Sequence, residues 1–166
     1  MFQSFFPQPK MFFSSLAIWC GLLILVWYSF GKTIGEAIGF DLSETEQVIG
    51  LGHFITSEFL WFDTFFAFGT VAFFLVWRSR SPHEWQIWSV LGSALLIYLS
   101  YASVQVSVVI NAWYGPFYND IQTALTGDGG ITAGDLYGHF LVFCTIAFPY
   151  ILFIILNRFF TAHYIF

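Results

Sequence analysis

Hydrophobic side chains arrive along this chain in four long blocks, and none of the blocks alternates with polar residues in the way a half-buried strand does. The first is Phe12–Phe30, FFSSLAIWCGLLILVWYSF, which holds no charge. The second is about Phe59–Trp77 and contains one carboxylate, Asp63. The third runs from about Ile87 to Trp113, and the fourth from about Leu136 to Leu156, interrupted only by Pro149. About 20 helical residues cross a hydrocarbon core of about 30 Å, so each block is long enough to span a membrane. Backbone groups in lipid have no water to bond, which leaves helix as the conformation of every span. The pattern therefore predicts an all-α fold: a polytopic bundle of four transmembrane helices at residues 12–30, 59–77, 87–113 and 136–156, forming one unit over 1–166. Thr132 and Asp135 have the spacing of a capping box, so the fourth helix is expected to start at 133 and to extend to about 163.

The segments between the blocks carry the turn signals. Lys32–Ser57 is polar and acidic, and its SETE stretch (Ser43–Glu46) has capping-box spacing, which predicts a short helix along the membrane surface. Arg78–Gln86 reads as a tight turn containing Pro82. Tyr114–Asp135 reads as a longer connection with a GDGG turn at Gly127–Gly130. No fixed-period repeat and no low-complexity tract is present.

Composition narrows the class further. Of 166 residues, 58% are hydrophobic and only 9% charged, where a soluble domain carries about 25%. A water-facing globule cannot be clothed by that few charges, which excludes a soluble enzyme. A net charge of −5 argues against a nucleic-acid partner, since phosphates are gripped by cations. The partner implied by composition is the lipid bilayer. The few cations also orient the helices: Lys10, Arg78, Arg80 and Arg158 fall on one side and Lys32 on the other. The positive-inside rule then places both termini in the cytoplasm. The first block is read as a retained span and not a cleaved signal peptide, because it is long, preceded by a single lysine, and followed by no small-x-small site. Cys20 and Cys144 lie within apolar runs and are read as buried free thiols.

Candidate chemistry is sparse. On a helical wheel of the third span, Ser89, Ser93, Ser100, Ser103, Ser107 and Asn111 share one narrow stripe, with Gln105 projecting from the other side. Such a stripe serves either close helix packing or the lining of an aqueous cavity, and the sequence leaves both open. Asp63 is the one ionisable residue well inside a span, about 9 Å from a helix start near Ser57. At that depth it is either a proton- or substrate-handling group or an interfacial acid helped by the helix dipole. His53, His83, His139 and His163 have no ligand partner three or four residues away, so no metal site is expected. Pro149 should free the carbonyl of Thr145 and bend the fourth helix. Trp27, Trp61, Trp77, Trp88 and Trp113 are expected in interfacial aromatic belts. No phosphate-binding loop, nucleophile elbow or cofactor-ligand pattern occurs, so neither an enzyme nor a cofactor is expected.

Four motifs, in order, resemble the SbmA/BacA family of bacterial inner-membrane peptide transporters. They are MFQSFFPQP (Met1–Pro9), SPHEWQIWSVLGSALLI (Ser81–Ile97), NAWYGPFYNDIQTAL (Asn111–Leu125) and HYIF (His163–Phe166). The positions that carry the likeness are Pro82, His83, Trp85, Asn111, Trp113, Pro116, Phe117, Tyr118 and Gln122. The resemblance implies a homodimeric transporter of the inner membrane whose protomer is similar to the membrane half of an exporter-type ABC protein. It further implies uptake of peptides and peptide antibiotics, driven by the proton gradient. On that template the first two helices are an added pair and the next two open the exporter-like core. Family members are more than twice this length, so the resemblance covers an N-terminal part, expected to be inactive alone. Glu84 stands where the family has a basic residue, and Asp63 stands where an apolar one is expected. The alternative reading is a non-transporting membrane subunit that assembles with another membrane protein.

Overall fold

The computed structural model describes residues 8–43, 48–127 and 130–165, with side chains placed up to 162. It is helical, and no strand occurs among the described residues. Four helices are long and apolar enough to cross a membrane: α1 (Pro9–Ile38), α2 (Ser57–Arg80), α3 (Ile87–Thr126) and α4 (Ala133–Ile165). All four outrun the apolar blocks that announce them. A short 3₁₀ turn, Leu51–Ile55, precedes α2, and α3 opens with a π-helical turn over Ile87–Gly92. Glu44–Glu46, which carry most of the expected surface helix, lie outside the described residues, as do most of the MFQSFFPQP motif and the side chains of HYIF.

The chain divides into two compact units. The first consists of α1, α2 and the start of α3, up to Leu95. Pro9 opens α1, where a missing N–H costs nothing. Gly39 closes it in a left-handed conformation at φ 107°, returning its own N–H to Glu36 O. Helices in a bilayer gain little from hydrophobic exclusion and associate instead through close backbone approach and hydrogen bonds. Both devices join α1 to α2. Gly31 and Gly35 form a small-x-x-x-small pair on the buried face of α1, and Trp61 of α2 lies against it, with its Nε1 donating to Gly31 O at 3.0 Å. Trp19 Nε1 donates to Gly69 O at 3.0 Å, and Trp77 Nε1 to Ser15 Oγ at 3.0 Å. Phe12, Phe73, Trp77 and Val90 close the core of this unit.

These contacts revise the expected belt of tryptophans. Trp61 and Trp77, and Trp113 in the second unit, are buried within the protein, while Trp88 is exposed as a belt residue should be. An indole offers large apolar area and one donor, so a Trp that finds an acceptor on a neighbouring helix is worth more inside than at an interface. The cysteines depart from expectation the other way: Cys20 and Cys144 are free thiols on outward faces of their helices. In a bilayer an apolar run has no need to point inward, because lipid solvates it.

The second unit is an antiparallel hairpin of α3, from Leu96, and α4, with the 3₁₀ turn packed on it. At 1.5 Å per residue, the 40 residues of α3 span about 60 Å, twice the hydrocarbon thickness. The expected end at Trp113 is passed, and NAWYGPFYND is helical up to Thr126. Pro116 lies inside the helix and its lost bond leaves the Ala112 carbonyl without its intrahelical donor. Two aromatic pairs straddle the proline and hold the turn: Trp113 stacks on Phe117 at 4.6 Å between ring centroids, and Tyr114 on Tyr118 at 5.7 Å. Gly115 also removes the Cβ that a proline normally crowds in the residue before it. Gly127 and Gly130 flank the reversal, both at positive φ. The expected capping box then starts α4: Thr132 N and Oγ1 donate to Asp135 Oδ2 at 2.8 and 2.7 Å, and Asp135 N returns to Thr132 Oγ1 at 3.4 Å. The helix runs through Pro149 without a break.

Candidate functional site

The α3–α4 hairpin has a seam. Along α3 from Ser93 onward the buried residues are Leu99, Ala102, Val106, Val109 and Trp113, spaced three and four apart in turn, which keeps them on one stripe. Continuing the same stripe brings Phe117 and then Asp120 to the facing helix. On α4 the matching residues include His139, Phe143, Ile146, Phe153 and Asn157, with Ile146 completely buried. Trp113 sits where the seam approaches the reversal. Its ring meets Phe143 at 5.0 Å and its Nε1 donates to His139 O at 3.0 Å.

Polar pairs bracket this apolar seam. Near the reversal, His139 Nε2 meets Asp120 Oδ2 at 2.8 Å, with the imidazole edge-on to Phe117. Towards the other end, Asn157 Nδ2 donates to Ser100 Oγ at 3.4 Å. Between them the 3₁₀ turn is fastened to α3 by His53 Nε2 and Gln105 Oε1 at 3.1 Å, and its Phe54 packs on the seam beside Phe153. Each pair joins residues far apart in sequence, so the spacing rules that find metal or catalytic clusters were blind to them. What the sequence did offer is Gln105, a polar residue set apart from the serine stripe.

Most of the serine stripe turns away from the seam. Ser93, Ser100, Ser107 and Asn111 are exposed and Ser103 is half-buried, while Ser89 alone is buried. The hydroxyls of Ser100, Ser103 and Ser107 bond carbonyls of their own helix at Leu96, Leu99 and Ser103. Ser100 also accepts from Asn157 of α4 and so takes part in the hairpin, while Ser93, Ser107 and Asn111 lie exposed on its outer face. Asp63 is half-buried in the second turn of α2. No group of three or more metal-binding side chains converges among the described residues.

The turn SPHEWQIW fastens the start of α3. His83 Nδ1 faces Ser81 O at 3.2 Å, and Gln86 N donates to His83 O at 3.3 Å. Gln86 is completely buried, and neither atom of its amide has a hydrogen-bond partner among the described residues. Trp85 is exposed. Of the other motif positions, Trp113 is buried and Phe117 half-buried on the seam side, while Asn111, Tyr118 and Gln122 are exposed and Pro116 is half-buried.

The fold is that of a multi-pass helical membrane protein, with a hairpin whose ends are marked by polar pairs and whose polar stripe faces outward. The SbmA/BacA-like family model matches residues 82–166, 85 of the 166, which takes in the turn from Pro82 onward and the whole hairpin. The chain belongs to the SbmA/BacA-like family. The match begins at Pro82, so the family is carried by the second half of the chain, and α1 and α2 lie outside it.

Proposed function

We propose that this protein takes part in proton-driven uptake of peptides and peptide-like antibiotics across the bacterial inner membrane. Family membership over the entire α3–α4 hairpin is the observation that carries the reading. In this reading α3 and α4 open an exporter-type, ABC-like membrane fold that works by alternating access as a homodimer. Ser93, Ser100, Ser107 and Asn111 face the helices or the cavity that complete it. The outward orientation of that stripe supports this, because a row of hydroxyls is an unfavourable surface to leave in lipid. Both termini lie in the cytoplasm, supported by Lys10, Arg78, Arg80 and Arg158 opposing Lys32 across an even number of helices. Transport needs helices beyond these four, since Asp63 is the one carboxylate well inside a span and a proton path needs a relay.

Peptide-antibiotic sensitivity in a transporter-null host tests the proposal. The chain alone leaves the host resistant, and co-expression with the C-terminal helices of a family member restores sensitivity. Sensitivity with the chain alone contradicts the need for further helices. Resistance in both cases, with the two pieces co-purifying, contradicts transport and favours a non-transporting membrane subunit.

A further inference from the structure

One polar residue of α3, Gln105, stands apart from the serine stripe, and its partner comes from the connection between α1 and α2. His53 Nε2 lies 3.1 Å from Gln105 Oε1, and the neighbouring Phe54 packs on Phe153 of α4, with ring centroids 6.4 Å apart. The depth of this contact follows from the register of the hairpin. Ser100 faces Asn157, Trp113 faces Phe143 and Asp120 faces His139, so each step forward on α3 matches a step back on α4. In that register the apolar block of α4, Leu136–Leu156, lies beside about residues 101–121 of α3, whose own apolar block is Ile87–Trp113. Both helices are apolar together over about residues 101–113, roughly 18 Å at 1.5 Å per residue, and that stretch must lie in the hydrocarbon core. Gln105 sits inside it, about 6 Å from one end and about 12 Å from the other. The chain arrives there from the side of the reversal. Gly50 is buried against α4, where a Cβ would meet Val142 Cγ1 at 3.6 Å. By Phe54 the contact has moved to Phe153, about 16 Å further along the helix.

We infer that Gly50–Thr56 is a membrane-embedded segment, laid on the α3–α4 seam, fastened by His53 to Gln105, and facing lipid acyl chains with Leu51 and Ile55. Its composition fits that solvent: Val48–Ile55 reads VIGLGHFI, with no Asp, Glu, Lys or Arg. Leu51 and Ile55 are 48% and 74% exposed, apolar surface that water disfavours and acyl chains accept. Non-helical backbone at this depth must bond within the protein. The 3₁₀ turn does so: His53 N donates to Gly50 O at 3.2 Å, and Thr56 gives both its N–H and its hydroxyl to His53 O, at 3.3 and 2.8 Å. A polar side chain in a membrane is costly alone, and here the imidazole and the Gln105 amide each meet the other. The crossing that continues into α2 thus begins with this turn, and the part of the loop that lies in water ends near Gly50.

Fluorescence quenching of the full chain in phosphatidylcholine nanodiscs tests the inference. In a chain carrying Cys20→Ser and Cys144→Ser, the single substitutions Leu51→Cys, Ile55→Cys and Ser43→Cys each hold one environment-sensitive fluorophore, the last as a reference in the loop after α1. Doxyl groups on the lipid acyl chains should quench the probes at 51 and 55 several-fold more than the probe at 43, and aqueous iodide several-fold less. Adding Gln105→Leu, which removes the partner of His53, should return the probe at 51 towards iodide. Probes at 51 and 55 as open to iodide as the one at 43 overturn the embedding. Probes shielded from both quenchers overturn the lipid-facing surface and put protein, such as a second copy, over it. A probe at 51 unmoved by Gln105→Leu overturns the fastening. Wild-type protein gives an independent reading that needs no variant to fold: a diazirine carried in the acyl chains should label the peptide 48–56 and leave 39–43 unlabelled. Absence of label on 48–56 overturns the contact with lipid. The readout is depth and not uptake, so this inference and the transport reading fail separately.

Discussion

Three glycines of α1 should respond to the same substitution in three different ways. At Gly21 an added Cβ meets nothing within 4 Å. Alanine there gains only helix propensity, about 0.8–1.0 kcal/mol relative to glycine. At Gly31 the new methyl meets the Trp27 ring at 3.4 Å, ordinary contact within the same helix, so most of that gain should survive. At Gly35 it would lie 2.7 Å from Leu42 Cδ1 and 2.9 Å from Trp61 Nε1. Leu42 can rotate away. Trp61 cannot, because Trp27 stacks on it and Phe40 and Phe65 press on its ring. Relief must come from separating α2 from α1, which also stretches the Trp61-to-Gly31 hydrogen bond. Overpacking costs about 1–3 kcal/mol and the hydrogen bond about 0.5–1.5. Set against the propensity gain, Gly35→Ala should lose about 1–3 kcal/mol net, while Gly21→Ala gains about 0.5–1. Denaturation of the purified chain in detergent, followed by tryptophan fluorescence, measures all three. If Gly35→Ala tracked Gly21→Ala, the close approach of α1 and α2 through Trp61 would be refuted.

Other consequences are as direct. Trp113→Phe keeps the stacking on Phe117 but removes the indole donor to the His139 carbonyl, and should lower the stability of the hairpin by about 0.5–1.5 kcal/mol, read from its thermal midpoint. Thr132→Ala removes both bonds of its hydroxyl with Asp135 and should cost about 1 kcal/mol, seen as faster amide exchange in the first turn of α4. Gln86→Met exchanges an amide buried without partners for an apolar chain of similar length, so it should raise the thermal midpoint; a drop would mean the amide is satisfied. In the loop after α1, the Ser43 hydroxyl and backbone N–H hold the Asp41 carboxyl below its ordinary range. Whatever this contributes is present at neutral pH and is lost as pH falls through the lowered value; Ser43→Ala removes the hydroxyl but keeps the backbone N–H, so it should move the Asp41 titration, followed by carbon NMR, upward only part of the way to the usual position.

Much of this fold was legible because lipid imposes a simple grammar. A charge-free run such as Phe12–Phe30 can only be a span, and Thr132 with Asp135 gives away a helix start in four letters. The helical state of Tyr114–Thr126 was hidden because a proline and several polar residues read as a connection. Aromatic i,i+4 stacking within the helix spans Pro116 and supports the turn, a local effect that the run of polar residues masks. The packing seam was hidden by a stronger-looking signal. The serines of α3 drew attention as a polar stripe, yet the buried face is Leu99, Ala102, Val106, Val109 and Trp113, which an all-apolar background camouflages. His139 and Asp120 are 19 residues apart and meet only after the chain reverses. The tryptophans were assigned to interfaces by a rule that suits exposed Trp88; Trp61 and Trp77 depart from it because each indole N–H found an acceptor on α1.

The transport reading is tested most directly by peptide uptake into inner-membrane vesicles from a transporter-null host, energised by an imposed proton gradient and measured with a fluorescent peptide. Vesicles carrying the chain together with the C-terminal helices of a family member should accumulate peptide, lose that accumulation on adding a protonophore, and exceed vesicles with the chain alone, which stay at background. Accumulation that ignores the proton gradient, or none in the combined vesicles despite assembly of the two pieces, would contradict it.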